Sequence, residues 1–228
     1  MDAGDLDVAG AFEAIGGRFV TPVADLVGKL SAGRAIVLDW DGVFNDGRKG
    51  GADRSGFSEP DSMGLNLLRY GLWRRDGRLP VVAIVSGEDN PSAVAFAERE
   101  HFHAVYGGFH DKRPALADLA GAHGLQPAEV AFVFDDANDL GAAAASGVRF
   151  LVGRRASPLL ERYVAAHGLG DYVTGSPGGG GAVREVAELW LGLLGSHDEV
   201  VTSRAAFDDD YRAYWTARQA GATALFQG

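Results

Sequence analysis

The stretch Ala35-Ile-Val-Leu-Asp39-Trp-Asp41-Gly most constrains how this chain can fold. An apolar run ends abruptly in two carboxylates spaced Asp-x-Asp, followed by a glycine. A short buried strand would leave both acids at its carboxyl end, where open α/β sheets bind their ligands. There one carboxylate can attack an electrophile while the other transfers a proton, and a hard cation would offset their repulsion. An ordinary strand followed by an Asp-Gly turn is the alternative for this stretch taken alone.

Short apolar segments alternate with helical patterns along the rest of the chain. The segments predicted as buried strands are 81–85, 103–106, 130–134, 148–152 and 172–174. The segments predicted as helices are 61–75, 91–100, 113–123, 142–145 and 183–194, with a further one at 199–220. This alternation predicts an α/β fold, a doubly wound parallel sheet with helices on both faces. The Gly-rich, charged residues 45–60 are interpreted as a flap over the site or as an ordinary solvated loop.

Composition excludes several classes of function. The 228 residues include 21 Lys and Arg against 31 Asp and Glu, and the net charge of −10 argues against a nucleic-acid-binding surface. Without cysteine, the chain has no disulfide, thiolate zinc site or cysteine nucleophile. No apolar run approaches the roughly 18 residues of a membrane span, and no basic-then-apolar leader opens the chain. We therefore expect a cytoplasmic protein with neither nucleic acid nor membrane as a partner.

Four of the predicted strands are followed by polar groups of different kinds. In chain order these groups are Asp39 and Asp41, Ser86, Lys112, and Asp135 with Asp136 and Asp139. In a doubly wound sheet such strand ends converge on one crevice. A cluster of acids, a hydroxyl and an ammonium is costly to bury unless an ion and an anionic ligand join it. Taken singly, Ser86 could be a helix cap and Lys112 a surface charge.

The order and spacing of these groups resemble the four motifs of the haloacid dehalogenase superfamily of phosphotransferases. Within it the chain resembles most the capless 3-deoxy-D-manno-octulosonate 8-phosphate phosphatases and the related nonulosonate 9-phosphate phosphatases. The segments that carry this resemblance are Asp41-Gly-Val-Phe-Asn-Asp-Gly47, Val105-Tyr-Gly-Gly-Phe-His-Asp-Lys112, Asp135-Asp-Ala-Asn-Asp-Leu140, Asp171-Tyr-Val-Thr174 and residues 178–188. The resemblance implies a Rossmannoid doubly wound sheet with a short flap and no large cap domain. It covers residues 35–195, the expected catalytic domain, between a helical lead-in at 1–34 and an acidic, aromatic tail at 196–228.

The resemblance also implies the catalytic roles. Asp39 would be the nucleophile that takes the phosphoryl group as an aspartyl-phosphate. Asp41 would protonate the leaving sugar oxygen and then activate water, and a neighbouring carboxylate should help to keep it protonated part of the time. Ser86 and Lys112 would hold the phosphate oxygens. The physics of phosphoryl transfer agrees, because charge on the transferred group needs a cation and donors already in place.

Mg²⁺ is the cofactor that the resemblance implies. Its ligands would be Asp39, the backbone carbonyl of Asp41, and Asp135, with Asp139 and Asp136 in support. The residues expected to contact the substrate, a small phosphorylated sugar, are Ser86, Gly87, Glu88, Asp61, Lys112 and Arg184.

The chain departs from the octulosonate phosphatases at positions where their arginines contact the sugar acid. At those positions it has Pro60, Glu88 and Phe96. A carboxylate substrate favours a bidentate cation and would be repelled by Glu88. The sequence therefore predicts a neutral or amino-sugar phosphate, with Glu88 meeting a hydroxyl or an ammonium. A solvent-facing Glu88 without a role is the alternative.

Other interpretations stay open at this point. A ulosonate phosphate could be bound by other cations, such as Arg48, Lys49 or Arg184. A protein that keeps the fold without the chemistry could serve as a regulator or scaffold. Flap hairpins build a tetramer core in the relatives, so a homo-oligomer is possible here. The segment 178–181 with Arg184 resembles a tail that reaches a neighbouring subunit's active site, and it could equally be a linker to a packed helix.

Overall fold

The computed structural model describes residues 3–49 and 55–228. The helices of these residues are α1 (Ala3–Ala14), α2 (Val23–Ala32), α3 (Glu59–Asp76), α4 (Pro91–Glu100), α5 (Arg113–His123), α6 (Leu140–Ala144), α7 (Pro158–Ala166), α8 (Ala182–Leu193), α9 (His197–Ala206) and α10 (Asp209–Gln219). The strands are β1 (Arg18–Phe19), β2 (Ala35–Leu38), β3 (Val81–Val85), β4 (Ala104–Gly107), β5 (Val130–Phe134), β6 (Val148–Leu151), β7 (Tyr172–Val173) and β8 (Ala224–Gln227). Two 3₁₀ turns, Pro127–Glu129 and Ala137–Asp139, lie before and after β5.

These strands form one sheet in the order β1-β7-β6-β5-β2-β3-β4-β8. Neighbouring strands run parallel, except that β1 is antiparallel to β7. The central strand β2 pairs with both β3 and β5, so Leu38 is level with Ile84 and Val133. From β2 the chain moves outwards through β3 and β4, and then returns to β5 on the other side of β2. This reversal makes the carboxyl ends of β2 and β5 the switch point at which such sheets open a crevice for ligands.

The centre of the sheet is buried on both faces. Along β2, Ile36 and Leu38 belong to one apolar cluster, which includes residues of α3, α4 and α8. Ala35 and Val37 belong to a second cluster, which includes residues of α5, α6 and α7. Burial on both faces accounts for the nearly continuous apolar runs from which these strands were predicted. The predicted doubly wound α/β fold is confirmed.

The segments on either side of residues 35–195 pack onto that region. Helix α1 packs against α8, and Leu26 and Leu30 of α2 are fully buried in the core. Where one helix was predicted at 199–220, the structure has two, α9 and α10. Tyr70 of α3 donates a hydrogen bond of 2.8 Å to Asp210 of α10. The strands β1 and β8 were not predicted, because each is short and takes its hydrogen-bond partners from a distant strand.

The connection from β2 to α3 is where the flap was predicted. It spans residues 39–58, of which 50–54 lie outside the described residues, so the structure tests that prediction only at the two ends of the segment. The connection from β3 to α4 spans residues 86–90. Segments of these lengths hold no large cap domain, as predicted. None of the helices in the described part of the chain is long and apolar enough to cross a membrane.

Candidate active site

A pocket of about 310 Å³ opens at the carboxyl ends of β2, β3 and β5. The predicted site residues that line it are Asp39, Asp41, Ser86, Gly87, Glu88, Lys112, Asp135 and Asp136. Lys49, expected only as an alternative cation, also lines the pocket. The lining residues that the sequence did not identify are Gly42, Gly47, His110, Asn138 and Arg154. The topology therefore brings together the polar ends of strands that lie far apart in the sequence.

An ion-paired cluster forms the inner end of this pocket. The Nζ of Lys112 lies 2.6 Å from Oδ1 of Asp39 and 2.5 Å from Oδ1 of Asp139. All three residues are buried, and the Lys112 side chain is only 1% exposed. Lys112 is held there because it directly precedes α5, while Asp139 ends the 3₁₀ turn after β5. The alternative of a surface charge at Lys112 is excluded.

Burial sets the protonation of this cluster. It raises the pKa of Asp39 to about 8, against the opposing effect of the Lys112 ammonium, and the nearby Asp139 and Asp135 raise it further. Burial also raises the pKa of Asp135 to about 6, although Arg154 acts in the opposite direction. For Lys112, burial alone would lower the pKa, but the two carboxylates outweigh it and raise that pKa. The carboxylates therefore need more positive charge than Lys112 alone provides.

The residues present fit a divalent cation. Carboxylate oxygens of Asp39, Asp135 and Asp139 lie within 4.8 Å of one another, and oxygen donors at this spacing suit Mg²⁺. Gly42, at a φ of 84°, leaves the space that Asp135 needs, since a Cβ there would fall 2.0 Å from Oδ2 of Asp135. A bound cation would supply the charge that offsets the repulsion among the three acids.

Asp41 is partly buried beside this cluster. Its Oδ2 accepts hydrogen bonds from Nδ2 of Asn90 at 3.1 Å and lies 3.2 Å from Nζ of Lys49. Burial favours a higher pKa, but the bonds from Ser55, Asn90 and Lys49 outweigh it and lower the pKa of Asp41 below its ordinary value. This lowering runs against the expectation that a neighbouring carboxylate helps to keep Asp41 protonated part of the time, because three donors surround the carboxylate.

Ser86 lies at the end of β3 and is buried. Its Oγ accepts hydrogen bonds from Nδ2 of Asn90 at 2.8 Å and from the backbone N–H of Glu88 at 3.3 Å. The N-cap of α4 is Asn90, so Ser86 is not the helix cap that was considered as its alternative role. Asn90, which the sequence analysis missed, joins Ser86 to Asp41 through one amide group. The sequence did hold a signal for Asn90, since it ends the short loop that begins with Ser86 and is therefore expected near the same strand end.

Glu88 lies at the mouth of the pocket, paired with a lysine. Nζ of Lys49 lies 2.8 Å from Oε2 of Glu88, and the side chains are 46% and 59% exposed, respectively. Of the other cations considered, Arg48 is almost fully exposed and pairs with Asp46 at 3.1 Å. Lys49 is a residue of the predicted flap that reaches the pocket, and it bridges Glu88 to Asp41.

Arg154 lies in the loop after β6, outside every predicted motif. Its Nη2 lies 2.5 Å from Oδ2 of Asp135, and its Nη1 lies 3.9 Å from Oδ2 of Asp136. No spacing or pattern in the sequence distinguishes this arginine from Arg155 beside it. Only the fold brings it to the wall of the pocket.

Asp61 and Arg184 do not line the pocket of their own chain. Asp61 is fully buried, and its Oδ1 accepts a hydrogen bond of 2.9 Å from the backbone N–H of Arg184. The guanidinium of Arg184 instead pairs with Glu188 at 2.5 Å. Within one chain this contact ties α3 to the start of α8, which is a packing role, and neither residue reaches the pocket of the same chain. Whether Arg184 reaches a neighbouring subunit stays a prediction.

Phe96 and Pro60, two of the three positions at which the resembling enzymes were expected to hold arginines, have structural roles here. Phe96 is buried, with its ring centroid 4.3 Å from that of Phe57 and 5.9 Å from that of Trp40. Pro60 lies in the first turn of α3. Phe96 is buried and Pro60 is exposed, and neither side chain supplies a cation. Any cation that recognises an acidic sugar must therefore come from another part of the chain.

Comparison with known proteins adds to this geometry. No protein-family model matches the chain. The 3-deoxy-D-manno-octulosonate 8-phosphate phosphatase KdsC of Escherichia coli strain K12 is 30% identical over 186 residues, which cover 77% of this chain and 88% of that protein. The enzyme of the same name from Haemophilus influenzae is 29% identical over 172 residues, covering 73% of this chain and 87% of that protein.

Solved structures give the same picture. A HAD superfamily (subfamily III A) hydrolase from Legionella pneumophila matches with a TM-score of 0.67 and 28% identity, covering 80% of this chain and 95% of that one. The octulosonate 8-phosphate phosphatase of Moraxella catarrhalis, solved with magnesium, phosphate and the sugar acid KDO, matches with a TM-score of 0.65 and 26% identity over 81% of this chain and 98% of that one. The cobalt-bound Haemophilus influenzae enzyme matches with a TM-score of 0.66 and 27% identity over 79% and 99% of the two chains.

The pocket at the switch point and these likenesses define a haloacid dehalogenase-type phosphatase, a phosphoric monoester hydrolase. The 30% identity to KdsC, over more than two thirds of both chains, places the chain in one family within that superfamily. The chain belongs to the KdsC family of phosphatases.

Proposed function

We propose that this phosphatase uses Mg²⁺ to hydrolyse the phosphate ester of a ulosonate, a sugar acid of the 3-deoxy-D-manno-octulosonate type. The relatives named above support a sugar phosphate of this kind over the predicted neutral or amino sugar. The observation in this chain that carries the choice is the 2.8 Å contact between Lys49 and Glu88. This ion pair offsets the negative charge on which the argument against an acidic sugar depended.

The chemistry would proceed in two steps. In the first, a carboxylate oxygen of Asp39 attacks phosphorus, the bond from phosphorus to the sugar oxygen breaks, and Asp41 donates its proton to that oxygen. In the second, Asp41 takes a proton from water, the water oxygen attacks phosphorus, and Asp39 leaves as a carboxylate with release of inorganic phosphate. Ser86 and Lys112 hold the phosphate oxygens throughout.

Asp41 must gain a proton before the first step. Its lowered pKa means that it is ionised at neutral pH before substrate binds. Entry of a phosphate dianion beside it raises that pKa, because a neighbouring negative charge disfavours the ionised carboxylate. Asn90 keeps Asp41 and Ser86 in a fixed relation while this happens, since its amide bonds to both.

The metal would be held by Asp39, Asp135 and the backbone carbonyl of Asp41, with Asp139 in support. When bound, Mg²⁺ offsets the charge of the transferred phosphoryl group and of the acids around it. Lys112 pairs with both Asp39 and Asp139 and keeps these two acids in place.

Phosphate release from a panel of sugar phosphates tests the proposal. The panel contains ulosonate phosphates, neutral hexose and heptose phosphates and amino-sugar phosphates, all with Mg²⁺. We expect kcat/KM for a ulosonate phosphate to exceed the others by about tenfold or more, the scale of one charged contact. A preference for neutral or amino sugars, or no release from any member, would overturn it.

Glu88→Gln sharpens the same experiment. If the substrate is an acid, removing the partner of Lys49 leaves kcat/KM for the ulosonate unchanged or higher. If Glu88 instead binds an ammonium, turnover of the amino sugar falls. Asp89→Asn is the matched control, because the neighbouring Asp89 accepts a hydrogen bond from Gln227 and does not line the pocket.

A further inference from the structure

Arg154 is a pocket residue to which the mechanism above gives no role. Its guanidinium pairs with Asp135 through Nη2, and its side chain is 37% exposed. Nη1 lies 3.9 Å from Asp136, too far for a hydrogen bond. A guanidinium carries five N–H donors, and among residues 3–49 and 55–228 the hydrogen bond to Asp135 leaves most of them free to meet a ligand.

The two lysines of the pocket each already pair with two carboxylates. Lys112 is buried between Asp39 and Asp139 at the phosphate end. Lys49 divides its charge between Asp41 and Glu88. Among the described residues that line the pocket, Arg154 is the cation with donors to spare.

The fold fixes where this guanidinium lies. A Cβ at Gly42 would fall 2.8 Å from Nη2 of Arg154, and a Cβ at Gly47 would fall 3.9 Å from the same atom. The guanidinium therefore lies over the backbone of the loop that follows β2. Its ion pair with Asp135 holds it there before any substrate arrives, and a donor that is already in position loses less freedom on binding.

We propose that Arg154 binds the carboxylate of the sugar acid and is the residue that determines the preference for acidic sugars. This inference rests on the proposed function. The planar fork of a guanidinium can hold a carboxylate through two parallel hydrogen bonds, which an ammonium cannot do. Arg154 thereby replaces the arginines that are absent at Pro60, Glu88 and Phe96.

The test compares a ulosonate phosphate with its carboxyl methyl ester, which keeps the sugar and the phosphate but lacks the charge. Wild type, Arg154→Met and Arg154→Lys are assayed on both compounds. The matched control is Arg155→Met, since Arg155 is exposed and does not line the pocket. Calorimetric titration with Mg²⁺ in the absence of substrate is the second readout.

We expect Arg154→Met to lower kcat/KM for the acid at least about tenfold more than for the ester, mainly through KM. Arg154→Lys should fall between wild type and Arg154→Met, and Arg155→Met should match wild type. Equal losses on acid and ester, or a change in Mg²⁺ affinity large enough to explain the loss, would overturn the proposal and assign Arg154 to the metal site. No loss on either compound would overturn it as well.

The two proposals fail in different ways. If wild type hydrolyses the ulosonate phosphate no faster than the neutral and amino-sugar phosphates of the panel, a ulosonate is not the substrate and both proposals fall. If a ulosonate is the favoured sugar but wild type does not distinguish the acid from the ester, only the role of Arg154 is wrong. If wild type prefers the acid and Arg154→Met retains that preference, only the role of Arg154 is wrong.

Discussion

The two ends of the pocket each contain a lysine between two carboxylates, but they differ in their access to water. At the inner end, Lys112 is 1% exposed and lies between Asp39 and Asp139. At the mouth, Lys49 is 46% exposed and lies between Asp41 and Glu88. Water screens the pair at the mouth, whereas the inner charges depend on one another and on a cation.

Because of this difference, we expect the two ends of the pocket to have different functions. The inner end has buried, mutually dependent charges, which suit a reaction that must stabilise a phosphoryl group in flight. The mouth has weakly held, exchangeable ion pairs, and a substrate can replace one of their partners at little cost. We therefore expect chemistry to depend on the inner end and selectivity to depend on the mouth.

Replacing the nucleophile should have the largest effect. Asp39→Asn removes the oxygen that attacks phosphorus, and turnover of every substrate should fall by about four orders of magnitude or more. Phosphate release measures the loss, and circular dichroism checks that the variant is folded. Substantial remaining activity would show that another group attacks phosphorus.

The two lysines test the comparison directly. Lys112→Met should lower kcat/KM by about 10²- to 10³-fold for all sugar phosphates, because a preorganised donor to the phosphate is lost. Lys49→Met should have an effect of about tenfold or less, and its size should vary with the charge of the sugar. Both variants are assayed on the sugar-phosphate panel. Equal, substrate-independent losses would mean that the mouth takes part in the chemistry.

The smallest effect concerns the stability of the metal-free protein. The folded-state pKa values of Asp39 (about 8) and Asp135 (about 6) lie above the ordinary 3.8, so between pH 4 and pH 8 the folded state binds more protons than the unfolded state. The stabilisation that protonation of these two acids gives to the folded state is therefore fully present below pH 4 and is lost as the pH rises towards 8. We expect the contribution of these two groups to the free energy of unfolding to fall by a few kcal/mol over this range. His103 acts in the opposite direction up to about pH 6.5, because burial lowers its pKa to about 4.

Urea unfolding in EDTA at several pH values measures this slope. Asp39→Asn is the matched control, because it removes one carboxyl group whose pKa is raised. It should therefore flatten the dependence of the unfolding free energy on pH. Mg²⁺ should also flatten it, since the metal stabilises the ionised acids. A slope that is the same in wild type and in Asp39→Asn would contradict the burial argument, because His103 contributes equally to both proteins.

Distance along the chain explains which elements were predictable. The strands β2, β3 and β5 are buried on both faces, so their composition alone indicated them. By contrast, β8 is exposed along its length and exists through pairing with β4 and the stacking of Phe226 on Tyr106. A segment whose partners are all distant leaves no periodic signal of its own.

The sequence by itself determined the doubly wound fold and the inner end of the site. Asp39, Ser86, Lys112 and Asp135 directly follow strands or directly precede a helix, and local chain geometry fixes such positions relative to the sheet edge. Only the tertiary structure decided the mouth. Three of its residues, Lys49, Asn90 and Arg154, lie in loops and point their side chains towards the pocket. Packing between distant segments sets these directions, so the sequence does not show them.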